Sequence, residues 1–88
     1  MSVLKTFSFT KDALRDYEAI KDASPKLALR IKDLINDIMQ NPYKGLGKPE
    51  PLKYELSGCW SRRINQQHRL VYQVCDDKLV IISCRFHY

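Results

Sequence analysis

The fold is decided by residues 54–88, which read "YELSGCWSRRINQQHRLVYQVCDDKLVIISCRFHY". Apolar and polar residues alternate along much of this stretch, a pattern that is typical of half-buried strands. Turn-forming residues interrupt it near Ser57-Gly58, from Asn65 to Gln67 and from Asp76 to Lys78. The stretch therefore predicts three antiparallel strands that follow one another in a meander.

The first half of the chain predicts one strand and two helices. Val3 to Phe9 is a candidate strand, and Thr10 suits the N-cap of a helix that runs through "KDALRDYEAIKDA". Ser24 followed by Pro25 ends that helix and starts a second one, which extends to about Gln40. The second helix repeats its apolar residues at steps of three and four, at Leu27, Ile31, Leu34, Ile35 and Ile38.

The segment "NPYKGLGKPEPLK", residues 41–53, contains three prolines and two glycines and predicts a loop. The complete order predicts a single α+β domain over residues 1–88. It has an N-terminal strand and two helices packed on an antiparallel sheet of about four strands.

Composition and length are those of an ordinary folded domain, with 88 residues, 44% hydrophobic and 28% charged. No apolar run approaches the roughly 18 residues of a membrane span, and the N-terminus lacks a signal peptide, so a cytoplasmic protein is expected.

The net charge of +5 is uneven, because residues 44–88 hold eight basic and four acidic side chains. A polyanionic partner is expected to bind mainly this second half. The three cysteines favour neither a disulfide framework nor a zinc site.

The apolar pattern of the meander selects a strand register. Opposing Cys75 to Leu79 groups Leu70, Tyr72, Val74, Val80, Ile82 and Cys84 on one face. The other face then sets Arg69 against Arg85. Around "NQQ" the same reasoning sets Ile64 against His68, Trp60 against Tyr72 and Arg63 against Arg69.

Three arginines, Arg63, Arg69 and Arg85, are thus predicted to lie side by side with no acidic strand residue between them. Like charges opposite one another are unfavourable, so this row could bind an anion, or the long side chains could simply splay into water. His87 ends the row, and arginines nearby would disfavour its cationic form. Arg62 and His68 face the other way and are interpreted as an edge residue and a packed or rim histidine.

These residue types suit cleavage of RNA by its own 2′-hydroxyl, which needs a base, a cationic group on the phosphate and an acid, but no metal or cofactor. Glu50, fixed between prolines in "KPEPLK", is the candidate carboxylate, and Glu55 is the alternative. Lys48 and Lys53 could contact phosphate or merely keep the loop soluble. Tyr88 could stack on a base or brace the site. Cysteine catalysis is the weaker interpretation, since neither Cys75 nor Cys84 has an adjacent base.

The motifs "GKPEPLK", "LSG.WSRRI", "HRLVY" and the terminal "CR.HY" cover about half the chain, in order. In this combination they closely resemble the YoeB group of toxins, also called Txe, within the RelE/ParE superfamily. The first half is less similar, mainly through Asp16-Tyr17 and its helix pattern. Cys59 before the tryptophan and the "NQQ" turn depart from the family pattern but touch no proposed catalytic group.

The resemblance implies the toxin of a type II toxin-antitoxin pair, an endoribonuclease of RelE/ParE-like fold that cuts mRNA in the ribosomal A site. It puts the general base on Glu50, the phosphate-stabilising arginine on Arg69 and the general acid on His87. Lys53, Arg63 and Tyr88 match positions that bind phosphate or shape the site. Its implied partners are the 70S ribosome, a YefM-like antitoxin, operator DNA only through that antitoxin, and a second copy of the chain.

Two further hypotheses belong to other functional classes. The chain could be an inhibitor of the same fold that binds gyrase or the ribosome without cutting, or an RNA-binding regulator that uses the basic row alone. The complete set of Glu50, Arg69 and His87 favours the nuclease, because a protein that only binds does not need all three.

Overall fold

The computed structural model describes residues 4–86 as two helices against one face of a five-stranded sheet. The helices are α1 (Lys11–Ala23) and α2 (Pro25–Gln40). The strands are β1 (Thr6–Phe9), β2 (Glu50–Pro51), β3 (Trp60–Arg63), β4 (Arg69–Cys75) and β5 (Lys78–Phe86). None of the helices formed by these residues has the length and apolar character needed to cross a membrane.

Both helices begin where their capping residues predict. The Thr10 hydroxyl accepts a hydrogen bond from Ala13 N–H at 3.2 Å, and the Ser24 hydroxyl accepts one from Leu27 N–H at 3.3 Å. Each bond satisfies a backbone donor that the helix itself leaves without a partner. Pro25 stands at the start of α2, where its fixed φ suits the helix and its missing N–H costs nothing.

Among the described residues the sheet has the strand order β1-β5-β4-β3-β2, with β1 and β5 parallel and the other three pairings antiparallel. The predicted meander is confirmed as β3-β4-β5. Five strands form within residues 4–86, where about four were expected, because Glu50 and Pro51 pair with β3 inside the segment that was predicted to be loop. Pro51 is tolerated there because β2 is an edge strand. Residues Tyr54–Leu56, predicted as strand, instead form a single 3₁₀ turn.

The predicted register is correct between β3 and β4 and partly wrong between β4 and β5. Trp60 pairs with Tyr72 and Arg63 with Arg69, as expected. The next hairpin turns through only two residues, so Cys75 opposes Lys78 and Tyr72 opposes Ile81. Two register shifts follow on β5, which restore the predicted Val71–Ser83 pair and then place Phe86, not Arg85, opposite Arg69. Bulges of this kind insert a residue that the partner strand does not match.

The core lies between the helices and the sheet. Leu79 and Ile81 are fully buried there, whereas the register inferred from sequence had chosen Val80 and Ile82. Leu70, Tyr72 and Cys84 are core residues as predicted. The helices contribute Ala13, Ile20, Ile31, Leu34, Ile35 and Ile38. The opposite face of the sheet carries Ser61, Arg63 and Arg69 around the buried Val71.

Candidate active site

Arg69 is held in one orientation by oxygen atoms of neighbouring segments. Its Nε donates to the Ser61 hydroxyl at 2.8 Å, and one Nη donates to the Lys48 carbonyl at 2.8 Å and to the Ser61 carbonyl at 3.2 Å. Ser61 is completely buried on β3. A guanidinium oriented in advance loses less conformational entropy when an anion binds than a freely rotating one.

Strand pairing places Glu50 on the same face of the sheet as this guanidinium. Its partner across the β2–β3 ladder is Ser61, the same residue that binds Arg69. Paired residues of neighbouring strands point to the same side of a sheet, so the exposed carboxylate and the guanidinium share one surface. Leu52 N–H donates to the Cys59 carbonyl at 2.9 Å, which anchors the chain just after Glu50.

A cavity of about 390 Å³ opens next to Glu50. Its rim carries Lys53, and Tyr54 beside it is 91% exposed. Phe86 contributes an aromatic wall from the end of β5. The cavity therefore combines a cation and aromatic surface, which bind unpaired nucleotides, with a carboxylate that can accept a proton.

Arg63 completes a pair of cations with Arg69, since the two residues are in register on β3 and β4. The Arg63 side chain is exposed, and its backbone is fixed by a 2.6 Å hydrogen bond from its N–H to the Gly47 carbonyl. Two like charges placed opposite each other repel, and a bound phosphate would relieve that repulsion.

Arg85 is separated from the pair, so the predicted row of three arginines is wrong. Because of the extra residues on β5, Phe86 takes the place opposite Arg69. Arg85 is exposed and lines a different cavity, of about 280 Å³, together with His68 and the end of α1. His68 is half-buried there, in agreement with its interpretation as a rim histidine.

His87 and Tyr88 lie outside the described residues, so their predicted roles stay predictions. Glu55 is exposed on the 3₁₀ turn and does not line the cavity beside Glu50. Of the two candidate carboxylates, only Glu50 pairs with Ser61, the β3 residue that binds the Arg69 side chain.

Two residues of this region were missed or misread from the sequence. Ser61 could have been found, because alternation along β3 places it two residues from Arg63 on the same face. Arg62 was interpreted as an edge residue, yet it is completely buried and binds Asp37 at 2.5 Å. Its environment depends on the loop 41–48, whose path the sequence does not reveal.

The two buried cysteines, Cys59 and Cys84, are poorly suited to nucleophilic catalysis. Burial raises the pKa of Cys84 to about 12, and the Asp16 carboxylate nearby adds to the increase, so the thiol stays protonated at neutral pH. Burial also raises the pKa of Cys59. Within residues 4–86, no three His, Cys, Asp or Glu side chains group as potential metal ligands.

The fold and the site define a class of protein when they are set beside solved structures. The chain is similar to the YoeB dimer from Staphylococcus aureus, with a TM-score of 0.90, 41% identity and coverage of 99% of this chain and 100% of that one. It is also similar to the heterotetrameric YoeB-YefM toxin-antitoxin complex of that organism, with a TM-score of 0.86, 42% identity and coverage of 97% and 98%. The class is that of bacterial toxins with a RelE/ParE-like fold.

Sequence relatives define the family within this class. The family model described as "YoeB-like toxin of bacterial type II toxin-antitoxin system" matches residues 9–88. Toxin YoeB of Synechocystis sp. is 54% identical over 92% of this chain and 94% of its own. The chain belongs to the YoeB toxin family, as the sequence motifs predicted.

Proposed function

We propose that this toxin is a ribosome-dependent endoribonuclease that cuts mRNA in the A site and thereby stops translation. One observation carries the proposal. Ser61 fixes the Arg69 guanidinium by two hydrogen bonds and is also the strand partner of Glu50. A base and a phosphate-binding cation are thus set on one surface before substrate arrives, which favours the reaction by pre-organisation.

The reaction uses the 2′-hydroxyl of the RNA as nucleophile. Glu50 accepts the hydroxyl proton while the 2′-oxygen forms a bond to phosphorus and the bond from phosphorus to the 5′-oxygen breaks. Arg69 stabilises the charge on the phosphate oxygens, and Lys53 and Arg63 bind neighbouring phosphates. The departing 5′-oxygen takes a proton from the general acid, which the family resemblance assigns to His87. The products are a 2′,3′-cyclic phosphate and a 5′-hydroxyl.

The proposed partners follow from the family. The Staphylococcus aureus relatives form a YoeB dimer and a YoeB-YefM complex. We therefore expect an antitoxin resembling YefM to bind this toxin, with operator DNA reached only through that antitoxin, and a second toxin copy to be a further partner. A ribosomal target corresponds to action in the cytoplasm.

A second candidate function is a toxin of the same fold that occupies its target without cutting. The exposed Arg63 beside Arg69 would serve binding alone, because a cation pair attracts nucleic acid whether or not a bond is broken. The two candidates differ in their need for Glu50. The nuclease requires it as a base, whereas a toxin that only binds does not.

The first test is primer extension on an mRNA in a translating extract, with and without ribosomes programmed on that message. Wild type is compared with Glu50→Gln, Arg69→Ala and His87→Gln. We expect cuts at A-site codons only with ribosomes, and a loss of about 100-fold or more in cleavage rate for each variant.

The matched control is Arg15→Ala, which removes an exposed arginine of α1 and should cleave as wild type does. Translation arrest without any cut, equal in wild type and in all three site variants, would instead establish the toxin as an inhibitor that only binds. Cleavage that survives in all three would remove their catalytic assignment.

A further inference from the structure

We propose that Arg62 is a positioning residue for the cleavage reaction, because it holds the loop 41–48 that delivers Lys48 and Glu50 to the active site. The inference rests on the proposed nuclease function and adds to it a residue that never touches RNA. Arg62 lies on β3 next to Ser61 and Arg63, but its side chain points away from the site, into the protein.

The Arg62 guanidinium has five N–H donors, and the structure provides a partner for each. Its Nε donates to the Tyr72 hydroxyl at 3.3 Å, and one Nη donates to Asp37 Oδ2 at 2.5 Å. The remaining three bonds go to backbone carbonyls of the loop, those of Asn41, Lys44 and Leu46. A buried guanidinium so completely bonded can impose one conformation on the segment around it.

The two side chains that bind Arg62, those of Asp37 and Tyr72, also contact the loop. Leu46 N–H donates to Asp37 Oδ2 at 3.0 Å, and the Tyr72 hydroxyl donates to the Pro42 carbonyl at 2.6 Å. The carboxylate and the hydroxyl that bind Arg62 therefore each bind the loop as well. Loss of the guanidinium would leave three loop carbonyls and a carboxylate without their shared partner.

The end of the loop passes directly into the active site. The Gly47 carbonyl accepts from Arg63 N–H at 2.6 Å, and the Lys48 carbonyl accepts from Arg69 at 2.8 Å. Two residues later Glu50 pairs with Ser61. A shift of the loop would therefore move the carbonyl that orients Arg69 and the strand that carries Glu50. Misplacement by about 1 Å is enough to slow an enzymatic step by about 100-fold.

Lysine cannot replace arginine here, because an ammonium has three donors and lacks the planar fork that reaches several carbonyls at once. The loop can also be disturbed from its own side. Gly45 has φ of +121°, and a Cβ there would lie 2.1 Å from Asp37 Oδ2. Gly45→Ala therefore forces the loop or the Asp37 carboxylate to move, while residue 62 remains an arginine.

The test measures single-turnover cleavage on programmed ribosomes for Arg62→Lys, Gly45→Ala and the control Arg15→Lys, with folding checked by circular dichroism and thermal unfolding. We expect Arg62→Lys and Gly45→Ala to lower the rate at saturating ribosomes by about tenfold or more. The half-saturating ribosome concentration should change by less than about twofold, because the surface that contacts phosphate keeps its charge. Arg15→Lys should match wild type.

A double-mutant cycle separates positioning from loss of stability. Glu50→Asp shortens the base by one carbon and so displaces the same carboxylate that a loosened loop would displace. We expect Arg62→Lys to cost much less in the Glu50→Asp background than in wild type, since both changes damage one placement. A variant that only lowered the folded fraction would reduce the rate by the same factor in both backgrounds.

The outcomes distinguish the positioning role of Arg62 from the proposed nuclease function on which it rests. No cleavage by wild type would overturn the nuclease and the role of Arg62 together. Cleavage by wild type, with Arg62→Lys within about twofold of it or with costs that multiply in the cycle, would overturn the role of Arg62 alone. If Arg62→Lys fails to fold, the same rate and cycle measurements on Gly45→Ala decide the question.

Discussion

Four arginines near the end of the chain show how environment decides the role of a residue. Arg62 is buried and bonded to the protein alone, whereas Arg63 next to it is exposed. Arg69 is half-buried and oriented by Ser61 and Lys48, and Arg85 lines a separate cavity. Their chemistry is identical, so residue type alone could not assign one of them to structure and another to phosphate binding.

Asp37 gives a prediction at the scale of a single residue. Burial acts to raise its pKa, but the Leu46 N–H and the Arg62 guanidinium outweigh burial and hold the pKa below the ordinary value of 3.8. A carboxyl with a lowered folded-state pKa stabilises the protein above the unfolded pKa, and this stabilisation is lost as pH falls through the folded pKa. The free energy of unfolding of wild type should therefore decrease as the pH is lowered below about 4.

Asp37→Asn tests this expectation by chemical denaturation at several pH values. At neutral pH it should lower the free energy of unfolding by about 3 kcal/mol, the lower end for breaking a buried ion pair. We use the lower end because the Asp37 side chain is 25% exposed. The difference from wild type should shrink as pH falls. The control Asp33→Asn changes an exposed carboxyl of the same helix, and an equal loss there would contradict the assignment.

At the scale of elements, the β4–β5 hairpin shows why the register was only partly predictable. Turn length decides which residues face each other, and "DDK" fits either a two-residue or a three-residue connection. The structure has the two-residue form, with Asp76 at φ of +57°. Bulges on β5 then recover the predicted register at Val71–Ser83 and change it again at Arg69. In this part of β5, Cys84 N–H donates to Asp16 Oδ2 of α1 at 3.1 Å, a contact between distant segments that local patterns do not report.

The strained turn yields a prediction for this element. Asp76→Gly should raise the free energy of unfolding by up to about 1 kcal/mol, because glycine adopts positive φ without the steric cost that other residues pay. Urea denaturation would measure the change. Asp77→Gly is the comparison, since Asp77 has no positive φ, and it should destabilise the protein. A loss of stability in Asp76→Gly would show that the turn is not strained.

Across the molecule, the two faces of the sheet have different roles. The helices cover one face of the sheet and carry its core, while the other face presents Glu50, Arg63 and Arg69. The excess positive charge lies in the second half of the chain, which builds this face. Binding of RNA or ribosome by such a surface releases counterions and so weakens with salt.

The salt dependence of cleavage tests whether this face binds phosphate. The half-saturating ribosome concentration for cleavage should rise about tenfold or more between about 50 and 200 mM monovalent salt, at constant magnesium, because several phosphates are neutralised. The rate at saturation should change little. Lys53→Gln should reduce the slope of this dependence, whereas Lys11→Gln on α1, an exposed lysine outside the site, should not. Equal slopes for both variants would place the binding surface elsewhere.

Local patterns in the sequence were sufficient to predict the α+β order, the ends of both helices, the pairing of β3 with β4 and the family. These features depend on local periodicity, capping residues and contiguous motifs, which are written in neighbouring residues. Three features could be read only from the folded chain: β2 joins the sheet, Phe86 rather than Arg85 faces Arg69, and Arg62 binds a distant loop. Each of these depends on contacts between segments far apart in the chain, and packing of the whole fold selects among the alternatives that local patterns allow.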